Sequence, residues 1–250
     1  MNGDFAGSTP APTPLDQPLL APPASGRFLA GAAPARPAGQ GGDPLAWFHR
    51  LMPVLEALEP GEAAFLQAGL PRCDSTFGLA LAVFLAATAR GAQDWLGGET
   101  SASLDELDGG ALLEEVEEAL EPRSRRSADG RLWRTLRIPV AAGDGAHSLL
   151  WGVAVEDGEA GDGVHTAVSF LLQMRLPALG AVQLLAAGDL RRLDVTLQTA
   201  EGMPASVLAD LHADYAAAMA DAGLTGQLTI GSVVGSWLDL DGTLSADTTL

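Results

Sequence analysis

The chain has 250 residues, 47% of them hydrophobic, enough for the core of one large domain or two small ones, which excludes a wholly disordered polymer. Its 14 basic residues against 32 acidic ones leave a formal charge of −18, a field that repels phosphate and anionic lipid and argues against nucleic-acid and membrane-surface partners. Every basic residue is arginine, so a Schiff-base lysine, a lysine-bearing phosphate loop and any site needing an ammonium of depressed pKa are excluded.

Residues 1–44 hold nine of the sixteen prolines among Ala, Gly and Ser, with no apolar periodicity. Such a stretch buries too little surface to offset its ordering entropy and is predicted to be a disordered tail, with Leu19, Leu20, Phe28 and Leu29 as its only apolar anchors. It lacks the basic-then-apolar pattern of a cleaved secretory signal. Residues 45–122 are predicted to be helical. Trp47, Leu51, Val54, Leu55 and Leu58 share one helical face, Leu79, Val83 and Phe84 follow a loop around Pro71, and Leu112, Leu113, Val116 and Leu120 form a stripe that Pro122 ends. The longest uncharged apolar run, residues 77–89, falls short of the roughly 20 residues that span a bilayer and reads as a buried core helix. Ten acidic residues between Asp94 and Glu121 precede six arginines between Arg123 and Arg137, a polarity expected of solvated faces and local pairing.

From about Leu132 the period becomes two. Leu136, Ile138 and Val140 alternate with polar positions, as do Leu149, Trp151, Val153 and Val155, and then Val168, Phe170, Leu172, Met174 and Leu176 with Ser169, Gln173 and Arg175 opposite. These predict half-buried antiparallel strands. Two more strands, 181–185 and 190–199, flank Gly188 and Asp189, a pair suited to a tight hairpin turn. A helix starting at Pro204 carries Val207, Leu208, Leu211, Tyr215 and Met219 on one face and stops at Gly223, and 227–230 makes a closing strand. The fold class is therefore α+β: an N-terminal helical region, then a mostly antiparallel sheet packed with one long amphipathic helix over 130–231, and a polar C-terminal tail over 232–250.

Chemistry-bearing motifs are sparse. Asp239-Leu240-Asp241-Gly242-Thr243-Leu244 spells an aspartyl-phosphatase nucleophile motif, but only six residues follow it and no lysine is present to balance a phosphate. His49, His147, His165 and His212 lack zinc-ligand spacing, Glu156-Asp157-Gly158-Glu159 does not fit a calcium-loop register, and no Gly-x-Ser-x-Gly elbow occurs. The single cysteine, Cys73, forms no internal disulfide and leaves no cysteine-based metal site. No catalytic, metal or cofactor site is predicted, and the chain reads as a non-enzyme.

Residues 170–230, in their order of strand, Pro-x-Leu-Gly turn, strand, hairpin, amphipathic helix and closing strand, resemble the C-terminal domain of the flagellar hook-length control (FliK) family. Pro177-Ala178-Leu179-Gly180 is that motif here, followed by Val182 and Gln183, by Leu193-Asp194-Val195-Thr196-Leu197, and by the helix end from Leu211 to Gly223. Upstream, Trp47, the Leu70-Pro71 loop and Asp94-Trp95-Leu96-Gly97 look like divergent members of the same family. The resemblance implies a cytoplasmic regulator of flagellar type III export, itself an export candidate, whose C-terminal domain contacts the cytoplasmic domain of the export-gate protein FlhB to switch substrate specificity. It places partner contact at Pro177, Leu179, Gly180, Val182 and Gln183, with no cofactor and no small-molecule substrate. The alternative is an adaptor or structural interaction module sharing only the fold. Family members usually carry a long flexible ruler upstream, whereas here about 45 residues read as tail and the next 75 or so as folded.

Overall fold

A computed structural model describes residues 43–143, 145–160, 163–231 and 237–240; of 156–160 and 163–166 only the backbone is described. Of the tail expected over 1–44, residues 1–42 lie outside the described residues. Asp43, at its edge, already organises the first helix: one carboxylate oxygen accepts the Leu45 N–H at 2.9 Å and the other meets His49 Nδ1 at 2.6 Å, setting where the helix starts.

Among the described residues six helices come first: α1 (Ala46–Leu58), α2 (Pro60–Gly69), α3 (Phe77–Thr88), α4 (Ala92–Leu96), α5 (Gly98–Asp108) and α6 (Ala111–Leu120). Glycines at positive φ mark the breaks between α3 and α4 (Gly91), α4 and α5 (Gly97), and α5 and α6 (Gly109, Gly110). Glu117 reaches back from α6 to accept the Ala92 N–H at the start of α4. Trp95 of α4 lies edge-to-face on Trp47 of α1 and Phe84 of α3, with ring centroids 6.1 and 5.7 Å apart, so three helices meet at one indole.

Seven strands follow, in a sheet ordered as in the chain: β1 (Arg123–Arg126), β2 (Leu132–Ala142), β3 (Gly145–Ala160), β4 (Gly163–Leu176), β5 (Gly180–Gly188), β6 (Leu193–Thr199) and β7 (Leu228–Gly231). All neighbours are antiparallel except β6 and β7, which run parallel because α7 (Ala205–Asp221) carries the chain back between them. Pro139 is tolerated inside β2 because β1 covers only Leu132–Thr135. The Ala141 N–H, two residues on and so facing the same side, bonds the Pro71 carbonyl of the helical region at 2.8 Å instead.

The period of two sends the sheet's side chains to two faces. On one, Leu136, Ile138, Val140 and Leu149 join Leu51, Leu55, Phe84, Leu104 and Val116 from the helices in one continuous core. On the other, Trp133, Leu150, Ala154 and Leu171 form a second, smaller core with Leu240, and Leu185 and Leu238 pack against it.

Several expectations need correction. Leu79 and Val83 are 73% and 57% exposed, and α3 buries Leu81, Phe84 and Thr88 instead. A helix apolar on every side carries no periodic signal to choose its inner face, and the exposure of Leu79 and Val83 shows that α3 is not the fully buried helix expected from its composition. Phe170 shares the helical face with Leu172 yet is 40% exposed, whereas its neighbours Ser169 and Leu171, on the opposite face, are buried. On α7 only Met219 is buried; Leu208, Leu211 and Tyr215 are half-buried and Val207 is exposed. The hairpin after β5 takes the four residues Asp189–Arg192, not two. Asp189 accepts both the Arg191 and Arg192 N–H groups, and a side chain at Gly188 would collide with the Arg192 carbonyl.

Candidate partner-binding site

The Pro177-Ala178-Leu179-Gly180 motif joins β4 to β5. Leu176 pairs with Gly180 across the ladder, and the Leu179 N–H donates to the Leu176 carbonyl at 3.3 Å, closing a β-turn with proline at its second position, where a fixed φ is favourable. Gly180 follows at φ +65° in the left-handed region, and a Cβ there would approach the Ala200 Cβ to 3.1 Å. The chain leaving β6 braces the turn: the Ala200 N–H donates to the Ala181 carbonyl at 2.8 Å and the Glu201 N–H to the Leu179 carbonyl at 3.3 Å. The result is a pinned tip with Pro177 and Ala178 exposed at its apex and Leu179 half-buried behind them.

The five residues expected at the partner contact do not share one surface. Val182 is half-buried on the helical face, opposite Met174 on one side and Thr199 on the other. Gln183, next in sequence, faces the other way and is only 2% exposed. Its amide is occupied: Oε1 accepts the Leu238 N–H at 3.0 Å, and Nε2 donates to the Leu238 carbonyl at 3.0 Å and to Gln173 Oε1 at 3.3 Å. A partner meeting the tip reaches Pro177 to Gly180; Gln183 lies behind a segment of the chain itself.

That segment is what sequence reasoning missed. Within the stretch expected as a polar tail, Leu240 is 6% exposed and Leu238 packs beside it on the second core. The available signal was the Leu-x-Leu spacing around Asp239, which the phosphatase-like motif overlays. Asp239 is exposed and lies outside any strand, while residues 241–244 of that motif lie outside the described residues.

Elsewhere, Arg123 and Arg126 are exposed on the short edge strand β1, the charge pattern that blunts open sheet edges. Arg50 pairs with Glu115, and Arg90 with Asp94 at 3.2 Å, which accounts for part of the acidic run. At the opposite edge, the Tyr215 hydroxyl donates to the Leu193 carbonyl at 2.6 Å, and Asp194 pairs with Arg192 and accepts the Gln227 N–H at 3.0 Å, tying α7 and β7 to β6. Among the described residues no group of three or more His, Cys, Asp or Glu side chains is placed to hold a metal ion, and no helix is long and apolar enough to cross a membrane. Fold and site together define an α+β protein with a meander sheet and a braced, exposed turn. Compared with known proteins, the chain matches no family model, no curated protein and no solved structure.

Proposed function

We propose that the chain is a non-enzymatic regulator of flagellar type III export, acting in the cytoplasm, whose C-terminal α+β domain docks the cytoplasmic domain of the export-gate protein FlhB through the Pro177–Gly180 turn. The observation that carries this reading is the pinned tip. A turn fixed by a proline φ, a left-handed glycine and two main-chain bonds from a neighbouring strand exit presents Pro177 and Ala178 at little further ordering cost on binding. Leu179 stands behind the apex as the apolar side chain a partner would engage, and Val182 supports the turn from within the sheet. Gln183 is assigned no direct contact while the Leu238 segment holds it.

The test is titration of the FlhB cytoplasmic domain into the full chain and into a variant carrying Pro177→Ala, Leu179→Ala and Gly180→Ala. The variant keeps its circular dichroism spectrum and loses roughly 1 kcal/mol of stability from the left-handed position, while affinity falls by about tenfold or more, equivalent to about 1.4 kcal/mol. Unchanged affinity in a folded variant, or no binding by the wild-type chain, refutes the proposal.

A further inference from the structure

We infer that the sheet face opposite the helices is a binding groove for an extended partner segment with large aliphatic side chains at alternate positions, and that Trp237–Leu240 of this chain is its resident, displaceable occupant. This inference does not rest on the export-control reading. The groove floor is Trp133, Leu150, Ala154 and Leu171, an apolar surface that draws no residue from any helix. Apolar floor on a sheet face needs a cover, and here Leu238 and Leu240 supply it.

How the cover is held shows what the groove recognises. Strands of the sheet are joined by ladders of main-chain bonds, whereas this segment is held at Leu238 by one side chain, Gln183, whose amide pairs with both the N–H and the carbonyl of the same residue. An amide reading a main-chain N–H and carbonyl is indifferent to the side chain it finds there. Selectivity then comes from the apolar floor, which takes side chains two residues apart, Leu238 and Leu240, while the intervening Asp239 is exposed. The fit of the resident segment is imperfect: the Trp237 indole N–H is buried with no partner among the described residues. A competing strand without that indole avoids the defect. Gln183 is itself held by Gln173 from the next strand, so the clamp stays oriented when the segment leaves.

The experiment uses a fluorescein-labelled synthetic peptide of sequence SWLDLDG, spanning Ser236 to Gly242, titrated by anisotropy into three full-length chains. The wild type binds it weakly, because the resident segment competes. The Leu238→Ser, Leu240→Ser double variant, its own cover released, binds about tenfold tighter or more. Adding Gln183→Ala to that double variant removes the gain. Equal binding by wild type and double variant, or no dependence on Gln183, overturns the inference. Should the double variant fail to fold, hydrogen exchange on the wild type decides: amides of 237–240 exchange far faster than those of β4 and β5, and equal protection overturns it because the segment then opens only with the whole sheet. A concentration-dependent dimer that the double variant abolishes would also overturn it, making the groove a site for segment exchange between copies.

Discussion

One sheet in this protein is buried twice, by opposite means. On the helical face, α1, α3, α5 and α6 contribute Leu51, Leu55, Phe84, Leu104 and Val116 to one core with Ile138, Val140 and Leu149, and most of these residues are fully inaccessible. On the other face, four residues lie across Trp133, Leu150 and Leu171, and Gln183, 55 positions away in sequence, bonds both main-chain groups of Leu238. The first cover is many contacts distributed over rigid elements, so no one residue decides it. The second is few contacts on one irregular segment, so single residues do. Stability resides in the first face, and the capacity to exchange an occupant resides in the second.

The largest test of that contrast is a cavity on each side. Ile138→Ala, on the helical face, is expected to lower unfolding free energy by about 2–5 kcal/mol, because the surrounding helices cannot collapse into the space. Leu240→Ala is expected to cost about 2 kcal/mol or less, since detachment of the segment caps the penalty below that of a closed cavity. Urea denaturation measures both, and equal losses would erase the distinction between the faces.

Gln183→Ala comes next. It removes two bonds to Leu238 and one to Gln173, a loss of about 1–2 kcal/mol, limited because the freed Leu238 groups regain water once the segment lifts. Protease sensitivity near Leu238 should rise in parallel, and an unchanged cleavage pattern would show that the segment is held by its leucines alone.

The smallest expected effect is that of acid. The Leu45 N–H, foremost, and His49 beside it hold the Asp43 carboxyl below its ordinary range. A carboxyl depressed in the folded state contributes stability that is present above its usual value, near 3.8, and is lost as pH falls through the lower folded value. As pH falls below 3.8 and through the lower folded value, the first turn of α1 should therefore loosen. The Gln183 amide itself contains no titratable group. Asp43→Asn should flatten this part of the melting profile on acidification, and a profile identical to that of the wild type would contradict the assignment.

Much of this arrangement is dictated by the amino-acid order alone. Alternation fixed β2 to β6 and their antiparallel order, because neighbouring strands joined by short Gly- and Asp-rich turns have no other cheap pairing. The stripe Leu112, Val116, Leu120 is enough to orient α6, and the proline and glycine of the Pro177–Gly180 motif dictate a β-turn followed by a left-handed residue. These are local properties: a periodicity or a permitted φ is a feature of a few adjacent residues. Tertiary structure decided the rest. Nothing local tells which side of the uniformly apolar α3 turns inward; in the fold Phe84 packs on Trp95 of α4, and Leu79 and Val83 are left outside. Gln183 looks like any outward polar residue of a half-exposed strand until Leu238 arrives from beyond β7 to take both ends of its amide. A contact between residues so distant in sequence carries no periodic signature, because its free energy depends on two surfaces that exist only after the sheet has formed.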